Sequence, residues 1–136
     1  MKIFKTNLDY GTKINFVDES NVFVGYDSTQ DCCEDAGYYV LDCVKYLDVE
    51  KECEDLDGFY SNCAYDVEGY YFDREFFEMR SAHVPDSDKT AHTAVFKLVS
   101  DGKPDLYLHL FNAHNGYYAH DFEVKHSGEV VKTGSL

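Results

Sequence analysis

Two adjacent cysteines are the side chains best suited to do chemistry in this chain, in the tetrad Asp31-Cys32-Cys33-Glu34. A deprotonated thiol is a nucleophile and a metal ligand, and it forms near positive charge or at a helix N-terminus. The carboxylates of Asp31, Glu34 and Asp35 oppose that deprotonation. The tetrad equally suits a first helical turn, with Asp31 as N-cap, Glu34 as reciprocal cap and two small buried thiols. Both interpretations remain open.

Histidines near the C-terminus could supply a base for such a thiol. His109, His114, His120 and His126 are close together in the sequence, and Asn115 could orient one of them. His109 and His120 fall on neighbouring predicted strands and could face each other. A Cys–His pair of this kind would make the protein a small thiol- or metal-dependent enzyme. Because no spacing brings these groups together, no catalytic residue is assigned.

The cysteine spacing argues against a structural metal site. No Cys-x-x-Cys pair provides the short chelate that zinc sites usually need. A calcium-loop fragment around Asp66 and Glu68 would have Ala64 at its first ligand position, and alanine cannot coordinate. We therefore expect no metal and no cofactor. The chain has no visible secretory signal, so we expect free thiols and a cytoplasmic protein. The five thiols are those of Cys32, Cys33, Cys43, Cys53 and Cys63.

The negative charge is concentrated in one third of the chain. Residues 31–75 carry 14 of the 26 acidic side chains and only three of the 12 basic ones. Such a field repels phosphate backbones and anionic lipid, and it attracts basic protein surfaces. Direct nucleic-acid binding is disfavoured because no basic cluster exists to displace phosphate counterions. No apolar run approaches the roughly 20 residues needed to cross a bilayer, so no membrane partner is expected.

Carboxylates on a tyrosine-rich surface can imitate the charge spacing of a nucleic-acid backbone. Such a surface could occupy the basic groove of a nucleic-acid-handling protein, with tyrosines as buried anchors. The alternative is a solvated acidic face with no partner. The residues expected to contact the partner are Asp48, Glu50, Glu52, Glu54, Asp55, Asp57, Asp66, Glu68 and Tyr70.

Short β-rich runs predict a mainly antiparallel sheet. Runs over 12–18 and 22–26 predict a hairpin. The Asp101-Gly102 and Asn115-Gly116 dipeptides are strong turn signals. They predict a C-terminal meander of three strands, over 93–99, 105–111 and 117–125. A further strand is expected over 70–79.

One or two short helices are expected beside this sheet. Asp31 is a good N-cap for a turn over 32–36, and the polar run over 49–56 suits an exposed helix that ends at Gly58. The run over 38–44 fits either a strand or a helix. No linker or break in composition divides the chain, so residues 1–136 are expected to form one α+β domain.

A resemblance rests on two tetrads, Asp31-Cys32-Cys33-Glu34 and Asn115-Gly116-Tyr117-Tyr118. Their order and spacing are similar to an uncharacterised family of small bacterial and phage proteins with an Asp-Cys-Cys-Glu motif and a downstream Asn-Gly-Tyr-Tyr motif. The resemblance implies a phage or mobile-element origin and an α+β domain. It implies no activity and no ligand.

The leading hypothesis is therefore a small acidic protein of phage type that binds a basic protein surface. It would act as an inhibitor or nucleic-acid mimic against host nucleic-acid-handling or defence machinery, for example as an anti-CRISPR protein. The alternative is the thiol- or metal-dependent enzyme described above. The 12 tyrosines also leave a homo-oligomer interface open.

Overall fold

The structure is a computed structural model that describes residues 1–29, 35–42, 65–83, 88–114 and 119–136. These residues form nine β-strands and no helix. The strands are β1 (Lys2–Leu8), β2 (Gly11–Val17), β3 (Val22–Asp27), β4 (Asp35–Leu41), β5 (Tyr71–His83), β6 (Thr90–Val99), β7 (Leu106–His114), β8 (Asp121–His126) and β9 (Glu129–Ser135).

The strands form two antiparallel sheets. The five-stranded sheet has the order β1-β2-β3-β8-β9, and the four-stranded sheet has the order β4-β7-β6-β5. Every neighbouring pair is antiparallel. The mainly antiparallel sheet expected from the sequence is confirmed.

The core lies between the two sheets and is rich in aromatic rings. Phe16 of the five-stranded sheet meets the edge of the Tyr38 ring of the other sheet, with ring centroids 5.1 Å apart. Phe122 of β8 lies 6.3 Å from Phe96 of β6. Alternation along β7 directs Leu106, Leu108 and Leu110 into this core. The sheets therefore pack face to face as a β-sandwich, because each has one apolar face to bury.

A buried carboxylate joins the β2–β3 turn to the other sheet. Asp18 is 4% exposed. Its Oδ1 accepts hydrogen bonds from the backbone N–H groups of Ser20 and Val22, both at 2.9 Å. Its Oδ2 accepts one from the N–H of Phe72, also at 2.9 Å, on β5. The Asp18 side chain therefore stabilises the β2–β3 turn and holds this turn against the start of β5 in the other sheet.

The turn at Asp101-Gly102 is confirmed. Gly102 has a φ of 72°, which a glycine adopts without strain, and the turn joins β6 to β7. The pairing expected for the third strand of the meander is wrong, although a strand is present over the later part of 117–125. β8 begins at Asp121 and pairs with β3 and β9 in the other sheet. β7 already pairs with β4 along one edge and with β6 along the other, so it has no edge left for β8. β8 therefore lies in the opposite sheet, where its apolar face is buried against the core.

The expected helices are not found in the described part of the chain. Ala36 belongs to β4. Residues 38–41 also belong to β4, so this part of the run over 38–44 is a strand. Residues 32–34 and 49–56 lie outside the described ranges. The edge of β7 offers a partner for residues 35–41, and pairing there satisfies their backbone groups as a strand.

We expect Asp18→Ala to lower the free energy of unfolding by roughly 2–4 kcal/mol, because three backbone N–H groups lose their acceptor. Asp18→Asn keeps an acceptor for the two turn bonds, but its NH₂ group cannot accept from Phe72. It should therefore cost roughly 1–2 kcal/mol. Urea unfolding of the three proteins measures both differences. Equal stability of Asp18→Ala and the wild type would contradict the role of this carboxylate.

Candidate functional site

One end of the sandwich gathers acidic side chains from separate chain segments. We call it the acidic end and define it by Glu19, Asp66, Glu68 and Asp101, which are all exposed. The β2–β3 turn contributes the first residue, the segment before β5 the next two and the β6–β7 turn the last. The antiparallel topology brings these segments to one end, although the outermost acids, Glu19 and Asp101, are more than 80 positions apart in the sequence.

Tyr71 shows the negative potential at this end. Its hydroxyl donates a hydrogen bond to Oε2 of Glu19 at 3.1 Å. The pKa of Tyr71 is raised above 10.0, chiefly by this hydrogen bond and the charge of Glu19, with smaller contributions from partial desolvation and from the charges of Asp18 and Asp101. A phenol that resists deprotonation in this way reports negative charge from two separate turns.

Hydrogen bonds between the turns give the acidic end a defined shape. The Tyr70 hydroxyl donates to the carbonyl of Pro104 at 2.8 Å, and Nζ of Lys103 donates to the carbonyl of Glu68 at 3.2 Å. Arg74 donates to the carbonyl of Ser20 at 3.3 Å. These hydrogen bonds connect the three segments that carry the exposed carboxylates, and they hold the segments in fixed relative positions.

The structure describes three of the expected partner-binding residues. Asp66 and Glu68 are exposed, as a contact surface requires. Tyr70 was expected on that surface, but it is only 4% exposed and its hydroxyl is used internally, so it offers no anchor to a partner. The six others lie outside the described residues, namely Asp48, Glu50, Glu52, Glu54, Asp55 and Asp57.

The acid-rich positions 43–64 are flanked in the sequence by residues that lie at the acidic end. β4 finishes at Leu41, which pairs with Tyr107 beside the β6–β7 turn. The chain is described again from Tyr65, immediately before Asp66. The described residues on both sides of positions 43–64 therefore lie at the acidic end.

The opposite end carries a small cluster of polar side chains, which we call the histidine end and define by Ser81, His92, His114 and His120. Ser81 Oγ lies 2.7 Å from Nδ1 of His92, and the rings of His92 and His114 are 5.1 Å apart. Burial lowers the pKa of His92 below 6.5, and the charge of His114 adds to that lowering. The lowered pKa favours the neutral form of the His92 ring more than in a free imidazole.

His120 has a structural role at this end. Its Nδ1 donates a hydrogen bond to the carbonyl of Asp27 at 2.6 Å, and the side chain is 3% exposed. Its backbone exchanges two hydrogen bonds of 2.8 Å with Leu136. The end of β3 is therefore held against the chain that leads into β8.

The described neighbours of both tetrads also lie at the histidine end. Asp35, which follows the first tetrad, pairs with Ala113 on β7. His114 precedes the second tetrad, and His120 follows it after one intervening residue. The tetrads themselves, Asp31 to Glu34 and Asn115 to Tyr118, lie outside the described residues.

His109 and His120 do not face each other, contrary to the expectation from the sequence. His109 is fully buried on the four-stranded sheet, where its ring stacks on Tyr39 with centroids 4.5 Å apart. His120 lies beside β8 in the other sheet. Sequence reasoning also missed the contact of Ser81 with His92, because it depends on the register between β5 and β6.

Two further features of the described residues bear on function. No group of three or more His, Cys, Asp or Glu side chains among them is arranged to hold a metal ion. Nor does the described part of the chain contain a helix with the length and apolar character to span a membrane.

Comparisons of the chain with protein-family models, with curated proteins and with solved structures found no match.

We expect Glu19→Gln to lower the pKa of Tyr71 toward its ordinary value, because the mutation removes both the charge and the charge-assisted bond. Asp101→Asn should lower it by less, since its charge contributes less than that of Glu19. Titration of the Tyr71 ring signals by NMR measures both shifts. A Tyr71 pKa that is unchanged in Glu19→Gln would contradict the focused negative potential at the acidic end.

We also expect the free energy of unfolding to fall as the pH is lowered from about 7 to about 5. His92 has a lowered pKa in the folded state, so the unfolded chain binds the proton first and acid favours unfolding. The stabilising contribution is present above the unfolded pKa near 6.5 and is lost below it. Urea unfolding across this range should show a smaller pH dependence for His92→Gln. An identical dependence would contradict the lowered pKa.

Proposed function

We propose that the protein binds a basic protein surface through its acidic end, as an inhibitor or nucleic-acid mimic. The observation that carries this proposal is the convergence of exposed acids from separate segments at one end, where Glu19 and Asp101 raise the pKa of Tyr71. A partner with a groove for nucleic acid fits best, because such a groove presents the complementary array of basic side chains.

Long-range electrostatics support this choice over a small-molecule site. The whole chain has a formal net charge of −14, and the acidic run over 43–64 is flanked by residues at the acidic end. A surface of one charge sign increases the rate of encounter with an oppositely charged partner. Direct binding of nucleic acid is unfavourable for the same reason.

The resemblance of the two tetrads suggests which partners to consider. If the chain has a phage or mobile-element origin, its proposed place of action is the host cytoplasm. The proposed targets are host nucleic-acid-handling or defence complexes, including CRISPR effectors. These complexes expose basic channels that an acidic protein can block.

One observation keeps the enzyme alternative as a second candidate. The described neighbours of both tetrads lie at the histidine end, together with His92, His114 and His120. A thiol of Cys32 or Cys33 would need one of these rings as its base. Under this alternative, Cys32→Ser or Cys33→Ser would abolish the activity of the protein in its host without lowering its stability. Charge changes at the acidic end would leave that activity intact.

The test compares two triple variants that change the net charge by the same amount. Glu19, Glu68 and Asp101 become Lys in the first, and three exposed acids at the other end, Asp9, Asp88 and Asp121, become Lys in the control. Each immobilised protein is exposed to the heparin-retained protein fraction of a bacterial lysate. We expect wild type and control to retain the same proteins and the acidic-end variant to lose them.

Two additions make the result specific. Excess double-stranded DNA should release the retained proteins if the acidic end occupies a nucleic-acid groove, and raising the salt should weaken retention through screening. Equal loss in the two triple variants would indicate simple ion exchange and contradict the proposal. Undiminished retention by the acidic-end variant would contradict it as well.

A further inference from the structure

The outer face of the five-stranded sheet holds a cavity of about 600 Å³, which we call the sheet cavity. We define it by Tyr10, Lys13, Asp27, Asp121 and Glu123, which come from the β1–β2 turn and from β2, β3 and β8. Along the strands these side chains alternate with residues of the core, so they point away from the other sheet. A cavity of this volume is in the range of binding sites for small organic ligands.

Gly25 of β3 leaves space at the base of the sheet cavity. The Lys13 side chain crosses over this glycine, and a Cβ at position 25 would lie 2.5 Å from Cε of Lys13. Nζ of Lys13 reaches Oε1 of Glu123 on β8, at 2.8 Å, so this ion pair spans three neighbouring strands. An ammonium group and a carboxylate are therefore held in defined positions at the base of the cavity.

The carboxylates of Asp27 and Asp121 are each oriented by a hydrogen bond to one oxygen. Oδ1 of Asp27 accepts from the backbone N–H of Thr29 at 3.0 Å, and Oδ1 of Asp121 accepts from the Ser135 hydroxyl at 2.9 Å. Within the described ranges, Oδ2 of neither carboxylate has a hydrogen-bond partner. A ligand hydroxyl can therefore donate to either Oδ2 without displacing an existing hydrogen bond.

Tyr10 forms an exposed aromatic wall of the sheet cavity. It lies between β1 and β2 and is 73% exposed. The face of an aromatic ring carries partial negative charge and attracts the weakly positive C–H groups of a sugar ring. A ligand stacked on this ring would also remove apolar surface from water, which is favourable. Tyr10 thus supplies the apolar contact that the charged base of the cavity lacks.

The polar groups of the sheet cavity match a ligand that both donates and accepts hydrogen bonds. The ammonium of Lys13 can only donate, and ionised carboxylates can only accept. A sugar hydroxyl does both, so neighbouring hydroxyls on one ring can satisfy the two kinds of group together. The lining contains three carboxylates and one ammonium, and this excess of negative charge repels phosphorylated and other anionic sugars. A small amine would satisfy the carboxylates but would give Lys13 no acceptor.

We propose that the sheet cavity binds a neutral saccharide. One sugar ring stacks on Tyr10, its hydroxyls donate hydrogen bonds to Oδ2 of Asp27 and of Asp121, and a hydroxyl oxygen accepts one from Lys13. The sheet cavity shares no residue with the acidic end, so this inference is independent of the proposed function.

An array of immobilised neutral and anionic glycans tests the ligand class, and NMR titration with the strongest neutral glycan locates its site on the labelled protein. We expect saturable shifts of the amide signals of Gly25, Asp27 and Asp121, with an affinity that changes little with salt. Tyr10→Ala should weaken binding roughly tenfold because the stacked ring is lost, whereas Tyr10→Phe should retain it. Phe4→Ala is the matched control, since Phe4 is 41% exposed in the same sheet but does not line the cavity.

The two triple variants that test the acidic end separate this inference from the proposed function. The control variant changes Asp121 to Lys and should lose glycan binding, whereas the acidic-end variant should keep it. The retention of basic proteins is expected to follow the opposite pattern, so failure of one proposal is distinguished from failure of the other. The saccharide proposal would be overturned if no neutral glycan on the array bound, if putrescine alone shifted the cavity signals, or if Tyr10→Ala bound as tightly as the wild type.

Discussion

The carboxylate of Asp18 is the constraint on which the arrangement of the two sheets most depends. It accepts two backbone N–H groups of the β2–β3 turn and a third from Phe72 on β5, all at 2.9 Å. A buried carboxylate is costly unless its oxygens are satisfied, so its position is tightly defined. That position aligns the turn carrying Glu19 with the start of β5, where Tyr71 lies. The acidic end therefore depends on an acid that is itself hidden from solvent.

The antiparallel sandwich places its exposed carboxylates and its histidine cluster at opposite ends of the strands. Turns at one end collect exposed carboxylates, and strand ends at the other collect Ser81, His92, His114 and His120. Between them lies an apolar core of aromatic and aliphatic side chains. The proposed binding surface and the histidine end are thus physically separate. Variants of one end can be made without disturbing the other.

Local turn chemistry made the hairpins predictable. Asp101-Gly102 and the polar residues after Val17 identify turns regardless of the rest of the chain, and both hairpins are present. The placement of β8 could not be predicted in this way. Its pairing with β3 depends on β4 occupying the free edge of β7, which is a relation between distant segments.

The roles of individual side chains were likewise predictable where they depend on the local sequence, and not where they depend on distant segments. Exposure of Asp66 and Glu68 agrees with their polar surroundings in the sequence. The sequence predicts Tyr70 as a partner-binding residue, yet its ring belongs to the core and its hydroxyl donates a hydrogen bond to the carbonyl of Pro104. The contact of Asp18 with the backbone of Phe72 spans 54 positions in the sequence. Such long-range partners are set by tertiary packing and leave no local pattern.

The most direct measurement of the central claim is an NMR titration of the labelled protein with a short arginine-rich peptide. This peptide is a defined basic ligand that needs no knowledge of the natural partner. We expect the amide signals of Glu19, Glu68 and Asp101 to shift, with an affinity that falls steeply as salt is added. Shifts confined to the histidine end, or spread evenly over the surface, would contradict recognition of a basic partner by the acidic end.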